Sequence, residues 1–163
     1  MTLSTPESLS PRHDSSAFSS GVLSLDDWLK RRALGNQAAG ASRTFVVCRG
    51  DAVVAYYALA SGGVSTSAVT GRFRRNRPDP IPVAIPGRLA VDLSVKRQGL
   101  GRALFRDAAK RVLHAGDAIG IRGILVHAIS DDAKSFYIAL GFDPSPLEPM
   151  TLMVTIADLR RSL

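Results

Sequence analysis

Apolar residues along this chain gather in short runs that are separated by polar residues, glycine and proline. Short runs rich in β-branched and aromatic residues are typical of strands. The pair Gly50 and Asp51 suits a tight hairpin turn between the first two clear runs. We therefore predict strands over residues 44–48, 52–59, 88–93, 123–128 and 151–155.

Three other segments have the apolar spacing and the flanking residues of helices. Residues 25–34 follow a capping residue, Ser24, and precede Gly35, which can end a helix. Residues 131–140 follow Ser130, and either Ser130 or Asp131 can cap them, with Gly141 as the stop. A third helix is predicted over residues 99–115, where one apolar stripe holds Leu100, Leu104, Ala108 and Val112.

The order of these elements predicts a mixed α/β sheet in one domain over residues 1–163. Strands come first, and the chain then alternates strand, helix, strand, helix and strand. Residues 1–21 favour a first strand and a loop, and residues 61–87, rich in Gly, Ser, Arg and Pro, favour the longest loop. A length of 163 residues fits one domain with a substantial core better than two domains.

Composition narrows the class of protein. The chain is 45% hydrophobic and 21% charged, which is ordinary for a globular protein. Its longest apolar run, residues 52–60, is far too short to span a bilayer, and its first residues lack the basic and apolar parts of a secretory signal. One cysteine, Cys48, excludes an internal disulfide and favours a core position, so we expect a cytoplasmic protein with no membrane contact. The net charge of +7 favours a polyanionic partner, namely nucleic acid, a phosphorylated cofactor or an acidic protein.

Residues 95–104 are the most informative segment for chemistry. A strand ends, Gly99 and Gly101 follow, and a helix begins. Glycine lets a ligand approach the backbone, and the first turn of a helix offers unpaired N–H donors at the positive end of the dipole, which suits phosphate. Two better-known phosphate-binding motifs are excluded here. The segment has no Gly-Lys-Ser/Thr, which a P-loop needs, and Leu104 stands where a dinucleotide-binding fingerprint needs its third glycine. A turn that needs glycine only for packing is the alternative.

This segment resembles motif A of GNAT acetyltransferases, in which a Leu-Ala-Val strand precedes a Gln/Arg-x-x-Gly-x-Gly turn. Lys96 stands where the family usually has Gln or Arg. The resemblance implies a single GNAT domain, with a mixed, mostly antiparallel sheet, helices on both faces, and a splayed pair of strands that holds acetyl-CoA. It implies that the strand contacts the pantetheine arm and the turn cradles the pyrophosphate. The cofactor-binding residues would then be Leu89, Ala90, Val91, Arg97, Gln98, Gly99, Leu100, Gly101 and Arg102.

A second motif, Ala-x-x-Phe-Tyr-x-x-x-Gly-Phe over residues 133–142, also resembles this family. The resemblance implies that Tyr137 lies near the thioester sulfur. A phenol with a pKa of about 10 can protonate a leaving thiolate, whose thiol has a pKa of about 8.5. We therefore predict Tyr137 as the catalytic residue, with packing on a helix face as the alternative role.

Further segments are similar to GNAT toxins of bacterial type II toxin–antitoxin systems, and they cover most of the chain in the right order. This resemblance implies acetylation of the amino group of aminoacyl-tRNA, which stops translation. It also implies a ribbon-helix-helix antitoxin as a partner and a homodimer. The segments are residues 20–29, 56–59, 80–82, 88–92, 126–128 and 143–146.

The amine to be acetylated must be neutral, and a base for it is hard to name. Asp92 and His127 are candidates, although Asp92 accepting a structural hydrogen bond and His127 as a satisfied strand residue are the favoured interpretations. An α-amino group has a pKa of about 7.7–8.0, so part of it is already neutral near pH 7. A lysine side chain near 10.4 would need a base far more. The missing base therefore favours an α-amine substrate.

Residues 72–77 form the densest basic segment. Arginine suits phosphate because its planar fork donates two bonds, and Phe73 could stack on a base. Solvated loop residues are the alternative. No metal is predicted, because His13 and His114 have no ligand spacing with each other or with Cys48. Two other functions stay open: acetylation of a protein N-terminus or a small amine, and a non-catalytic nucleic-acid-binding module. The residues predicted to contact tRNA are Arg72, Arg74, Arg75 and Arg77.

Overall fold

The computed structural model describes residues 2–163 and contains one mixed sheet of seven strands. The sheet order is the first, second, third, fourth, fifth, seventh and sixth strand. The strands are β1 (Glu7–Ser8), β2 (Arg43–Arg49), β3 (Ala52–Val64), β4 (Ile81–Val91), β5 (Gly123–His127), β6 (Asp143–Pro144) and β7 (Thr151–Thr155).

Six α-helices and two short 3-10 turns complete the described chain, and the 3-10 turns span Thr66–Ala68 and Leu93–Val95. The α-helices are α1 (Leu23–Arg31), α2 (Ala33–Ala38), α3 (Gly71–Arg74), α4 (Leu100–Gly116), α5 (Asp131–Ala139) and α6 (Ile156–Ser162). The α/β fold class predicted from the sequence is confirmed.

Pairing in the sheet is antiparallel at β1–β2, β2–β3, β5–β7 and β6–β7. The predicted hairpin at Gly50 is confirmed, with Arg49 opposite Ala52 and Gly50 at φ 64°. The strands β4 and β5 run parallel, and their ladder consists of only two residue pairs, Val83–Gly123 and Ala84–Ile124. A ladder this short is consistent with the expected splayed pair of strands, because β4 and β5 pair over only part of their length.

The described chain divides into two compact units. The first unit holds the stretch up to Ala60 together with Pro86–Ala108, and the second holds Ser61–Ile85 together with Ala109–Leu163. The prediction that residues 1–163 form a single domain stays a prediction beside this division.

Alternation along β2 builds two apolar cores in the first unit. Val46 and Cys48 pack in a core with Trp28 of α1, whereas Phe45 and Val47 pack in a core with Leu104 of α4. Successive side chains of a strand point to opposite faces, so these helices cover opposite faces of β2 and β3. The two tyrosines of β3 follow the same rule and join different cores.

The second unit has a core of its own beneath the β5–β7 ladder. Leu125 and Met153 pack there with Phe73 of α3 and with Ile81 and Val83 of β4. Gly123 has Phe73 and the backbone of β7 so close that a Cβ would lie 2.0 Å from the Val154 carbonyl oxygen. Only glycine fits at that position.

Two predictions about element bounds were wrong. The helix predicted over residues 25–34 is two helices, because Arg32 leaves the helical region at φ −120° and separates α1 from α2. The residue at the N-cap of α1 is Val22, not the predicted Ser24. Gly35, the predicted stop, lies inside α2. The amide of Gln37 holds α2 by donating to the Leu9 carbonyl and accepting from the Thr44 N–H.

The loop predicted over residues 61–87 is shorter, because β3 continues to Val64 and β4 begins at Ile81. The glycine and proline content of this segment predicted a loop. In the structure, Gly62 instead lies in β3, so close to Ile85 of β4 that a Cβ on residue 62 would come within 2.8 Å of the Ile85 Cδ1.

Among residues 2–163, no helix is long and apolar enough to cross a bilayer.

Candidate active site

The predicted phosphate turn lies in the first unit between β4 and α4. Arg97 and Gly99 both occupy the left-handed region, with φ of 64° and 75°. Turns of this kind direct backbone N–H groups into concavities that bind anions. Arg97, Gln98 and Gly99 are exposed, and no atom lies within 4 Å of where a Cβ of Gly99 would be. The backbone here is therefore open to a ligand.

The helix α4 starts directly after this turn. Its first internal bond in that turn runs from the Ala103 N–H to the Gly99 carbonyl at 3.1 Å. The N–H groups before Ala103 have no acceptor inside the helix, which leaves them directed out of its positive end. Arg102 and Arg106 are exposed one turn apart on α4 and add positive side-chain charge. Together these features fit a pyrophosphate.

The strand end that precedes the turn shares a core with it. Leu89 and Val91 of β4 pack with Leu100 of α4 around Val95 and Leu104. The predicted pantetheine strand and the predicted pyrophosphate turn are therefore held together by apolar contacts within one unit. All nine predicted cofactor-binding residues belong to the first unit.

Asp92 lies between the end of β4 and the turn, and its carboxylate accepts hydrogen bonds from neighbouring residues. Its carboxylate accepts hydrogen bonds from the Ser19 N–H at 2.8 Å and from the Ser94 hydroxyl at 2.6 Å. Burial alone would raise the pKa of Asp92, but these bonds outweigh it and hold the pKa below its usual value. The favoured interpretation of Asp92 as a structural acceptor is confirmed, because its oxygens are already occupied.

Tyr137 lies in α5 of the second unit and is 8% exposed. Its ring packs edge-on against Phe136, at 5.2 Å between ring centroids, and against Phe142, at 5.4 Å. Burial raises the pKa of Tyr137 to about 12, so the hydroxyl stays protonated at neutral pH. Of the two predicted caps, Ser130 and Asp131, it is Ser130 that caps α5, by accepting from the Ala133 N–H at 3.1 Å.

His127 ends β5 and is exposed. Its Nδ1 lies 2.9 Å from the Thr151 hydroxyl on the neighbouring strand β7. This contact agrees with the favoured interpretation of His127 as a satisfied strand residue.

The arginine segment lies in the second unit, and its four arginines have different surroundings. Arg72 forms an ion pair with Asp158, and Nη1 of Arg74 donates to the Val69 carbonyl at 3.4 Å. Arg75 and Arg77 follow α3 and are exposed. Two of the four arginines therefore already bond within the protein, and the other two are exposed to solvent.

The prediction that Phe73 stacks on a base is wrong. Phe73 is 1% exposed, because α3 turns its ring into the core of the second unit. Thr70 caps this short helix by accepting from the Phe73 N–H. The single apolar residue among arginines therefore anchors the segment instead of contacting a ligand.

Comparison with known proteins identifies the family. A family model for the acetyltransferase (GNAT) domain matches residues 40–144. This chain belongs to the GNAT acetyltransferase family. It is 50% identical over 157 residues to the tRNA-acetylating toxin of Mycobacterium tuberculosis (strain ATCC 25618 / H37Rv), an alignment that covers 96% of this chain and 95% of the relative.

Two solved structures resemble this acetyltransferase over almost its whole length. One is AtaT complexed with acetyl-methionyl-tRNAfMet, with a TM-score of 0.90, 27% identity and 98% coverage of both chains. The other is a tyrosine-to-phenylalanine mutant of the AtaT toxin bound to the C-terminus of the antitoxin AtaR and acetyl-CoA. It has a TM-score of 0.85 and 26% identity, and the match covers 99% of this chain and 97% of that one.

One cluster in this GNAT protein brings together residues that sequence spacing did not connect. Glu7, His13 and the buried Cys48 place ligand atoms within 4.8 Å of one another, as a metal site could. However, His13 Nδ1 accepts the Ser10 N–H at 2.9 Å, so the ring proton is on Nε2, which donates to Glu7 at 2.7 Å. Neither ring nitrogen then offers a lone pair to a metal. The absence of a metal stays a prediction.

Hydrogen bonding and burial define the roles in that cluster. The hydrogen bond from His13 is the first cause of a lowered Glu7 pKa, and Arg12 adds to it. Burial raises the pKa of the Cys48 thiol, which keeps it protonated. Cys48 is therefore a small core residue of β2, as predicted.

Sequence reasoning missed three arginines of the second unit that line one cleft with Arg77, namely Arg122, Arg160 and Arg161. Arg160 and Arg161 lie on α6, a helix that the sequence patterns did not predict. The only sequence signal was an adjacent basic pair after the last strand. Nothing in the spacing of residues 77, 122 and 160 indicates that they meet.

Proposed function

We propose that this protein transfers the acetyl group of acetyl-CoA to the α-amino group of aminoacyl-tRNA and thereby blocks translation. The observation that carries the proposal is 50% identity, over nearly the full length of both chains, to a tRNA-acetylating toxin. Each unit of the structure adds a feature that this reaction needs. The first has an open glycine turn for phosphate, and the second has a buried tyrosine and an arginine-rich surface.

The residues of the first unit fit the co-substrate. The turn Arg97–Arg102 would hold the pyrophosphate with its backbone N–H groups, because left-handed Arg97 and Gly99 shape it and the space in front of Gly99 is open. The residues Leu89–Val91 would pair with the pantetheine arm along the last part of β4. When bound, acetyl-CoA supplies an acetyl thioester. The residues of this chain then have to orient it and supply a proton.

Tyr137 is proposed as the proton donor. In the reaction the amine nitrogen forms a bond to the acetyl carbon, the carbon–sulfur bond breaks, and the electron pair of that bond goes to sulfur. The tyrosyl hydroxyl would give its proton to that thiolate, and the amine would lose one proton to solvent. A pKa of about 12 keeps this hydroxyl protonated, which an acid requires, although it also makes the hydroxyl a weaker acid than free tyrosine.

A general base is not needed for this substrate. Asp92 has its oxygens occupied by Ser19 and Ser94, and His127 lies beside Thr151. The α-amino group, with a pKa of about 7.7–8.0, is partly neutral at pH 7 without help. These features support an α-amine over a lysine side chain.

The finer parts of the proposal concern assembly. We propose a homodimer and a ribbon-helix-helix antitoxin as partner, in a cytoplasmic protein whose residues 1–163 act as one GNAT domain. The resemblance to GNAT toxins supports the antitoxin, and AtaT has been solved with the C-terminus of its antitoxin AtaR. The arginines at 72, 74, 75 and 77 are proposed to contact tRNA.

Transfer of labelled acetyl from acetyl-CoA tests the function. The acceptors are a charged tRNA pool, the same pool after deacylation, and a peptide with a free N-terminus. We expect label on charged tRNA and none on deacylated tRNA, because only the charged pool has an α-amine. Label on the peptide but not on charged tRNA would support the alternative, a protein N-terminal or small-amine acetyltransferase. Label on neither acceptor would favour a non-catalytic nucleic-acid-binding module.

A further inference from the structure

A cavity of about 450 Å³ in the second unit is lined by arginines and apolar side chains. The arginines come from three separate parts of the chain: the end of the arginine segment, the residue before β5, and α6. Among the described residues that line it, none is acidic. We call it the arginine cleft, and its lining residues are Arg77, Ile121, Arg122, Ile156, Ala157, Arg160 and Arg161.

Arg122 is the fixed cation of the arginine cleft. Its Nε donates to the Phe73 carbonyl and its Nη2 to the Arg72 carbonyl, both at 2.8 Å. Its guanidinium also lies over the Phe73 ring, 5.8 Å from the centroid. The two bonds use two of its five N–H groups. Arg122 is therefore held in place by the loop backbone and keeps further donors and its full charge.

Positive charge in the cleft is only partly compensated. Asp158 pairs with Arg72 and with Arg161, and Asp117 lies 3.7 Å from Arg160. Burial is the first cause of a lowered Arg122 pKa, and the charges of Arg77, Arg72 and Arg75 lower it further. Arginines that raise each other's electrostatic energy in this way are stabilised by an anion placed between them.

We propose that the arginine cleft binds a backbone phosphate of RNA, which under the proposed function is a phosphodiester of the substrate tRNA. A guanidinium fork matches phosphate oxygens bidentately, and the apolar side chains that also line the cleft, those of Ile121, Ile156 and Ala157, offer no hydrogen-bond partner to a base edge. Phosphate contacts fix the position of a nucleic acid without selecting its sequence. The cleft therefore positions tRNA and does not choose among tRNAs.

A nucleic acid fits the cleft better than an acidic protein does. The exposed Arg75, two residues before the lining residue Arg77, adds positive charge outside the cleft lining, which suits a polymer with regularly spaced charges. The whole chain also has a net charge of +7, which attracts polyanions through counterion release.

The test replaces Arg160 and Arg161 with glutamine in the full chain. Both side chains are exposed, so the Arg160→Gln/Arg161→Gln protein should fold, and Asp158 keeps Arg72 as its partner. The matched control is Arg31→Gln/Arg32→Gln, an adjacent and exposed basic pair in the first unit. Both variants remove two positive charges, so the net charge of the protein falls by the same amount in each. Affinity for tRNA is measured across a salt series, and calorimetry gives the affinity for acetyl-CoA. Affinity for polyglutamate is measured as well, as a probe for an acidic protein.

We expect the cleft variant to bind tRNA about tenfold more weakly and to lower its salt slope by about one to two, while the control changes little. Acetyl-CoA affinity should be unchanged, and KM for charged tRNA should rise with kcat nearly constant, as expected when uniform binding is lost. Equal losses of tRNA binding in both variants would show that overall charge, not the cleft, carries the binding, and would overturn the proposal.

Three other results would also overturn the proposal. Unchanged tRNA binding would do so, as would lost acetyl-CoA affinity, which would assign the cleft to a cofactor phosphate. Loss of polyglutamate binding with intact tRNA binding would assign it to an acidic protein. The proposed function is judged separately by the wild type. If the wild type acetylates charged tRNA and the cleft variant is unaltered, only this inference fails. If the wild type acetylates no tRNA, the function fails and the binding comparison still decides on the cleft.

Discussion

The glycine turn of the first unit and the arginine cleft of the second are both proposed to bind phosphate, but their positive charge comes from different parts of the chain. The turn uses backbone N–H groups at the start of α4, shaped by Arg97 and Gly99 in the left-handed region. The cleft uses guanidinium groups from three segments, with Arg122 tied to loop carbonyls.

This difference predicts opposite sensitivities. A backbone site depends on the shape of the turn, so it should tolerate changes at exposed side chains such as Gln98 and fail when a glycine is replaced. A side-chain site depends on charge, so it should fail when arginines are neutralised and should weaken steeply with salt. Four changes test the comparison, from the largest expected effect to the smallest.

Tyr137→Phe belongs to neither anion region and should separate binding from chemistry. The variant keeps the ring and its packing on Phe136 and Phe142 but cannot donate a proton. Since general acid catalysis contributes roughly two to four orders of magnitude, single-turnover acetylation should fall on that scale while acetyl-CoA affinity persists.

Tyr56→Phe is the matched control for Tyr137→Phe. Tyr56 is also a buried tyrosine, and its hydroxyl donates to the Leu25 carbonyl at 2.6 Å. Its loss should cost about 1–3 kcal/mol of stability and leave turnover of the folded enzyme intact. A Tyr137→Phe protein within about threefold of the wild-type rate would show that the hydroxyl is not the proton donor, since an acid catalyst contributes far more.

Gly101→Glu should disable the turn and spare the cleft. The substitution puts a side chain and a negative charge into the first turn of α4, where the phosphate is proposed to sit. We expect acetyl-CoA affinity to fall by about tenfold to a hundredfold, with tRNA affinity nearly unchanged. Gly35→Glu, in open space on α2 of the first unit, adds the same charge as a control. Undiminished acetyl-CoA affinity by calorimetry would count decisively against the turn.

Replacing Arg72, Arg74, Arg75 and Arg77 with alanine should weaken tRNA binding and spare acetyl-CoA binding, the reverse of the effect expected for Gly101→Glu. Acetyl-CoA affinity should persist, while tRNA affinity falls by about tenfold and the salt slope decreases by about two to four. Arg72 and Arg74 also bond to other residues of the second unit, so their removal could affect its structure. The Arg75→Ala/Arg77→Ala protein, which keeps those two bonds, is therefore the structurally milder variant. A quadruple variant with an unchanged salt slope would mean that these arginines are solvated loop residues.

The pH profile should depend on the acceptor amine and on neither anion region. Backbone N–H groups and arginines do not titrate near neutral pH, and Tyr137 with a pKa of about 12 stays protonated. Its raised pKa moves any loss of acid catalysis to higher pH than an ordinary tyrosine would show. With subsaturating tRNA, the rate should therefore rise about fourfold from about pH 7 to about pH 8, as the α-amine loses its proton. A fall in rate over that range would require another titrating group.

The sequence predicted well those features that depend on local spacing. The β7 bounds, the Ser130 cap of α5 and the hairpin at Gly50 all follow from neighbouring residues. It also predicted the family, because the motifs around Gly99 and Tyr137 are contiguous. The roles of these site residues stay predictions.

The sequence could not predict features that arise from contacts between distant segments. Burial of Phe73 depends on a core built by Ile81, Leu125 and Met153, which its arginine neighbours do not indicate. The cleft needs Arg77, Arg122 and Arg160 to meet, and the cluster of Glu7, His13 and Cys48 needs β1 to pair with β2. Such separations leave no periodic signal in the chain.

The most direct test of the account is the chemical identity of the product. Charged tRNA is incubated with the protein and acetyl-CoA and is then digested with a nuclease that releases the terminal aminoacyl-adenosine for mass spectrometry. We predict aminoacyl-adenosine that is heavier by one acetyl group on its α-amine and that requires both acetyl-CoA and Tyr137. Recovery of only unmodified aminoacyl-adenosine from fully active protein would contradict the account.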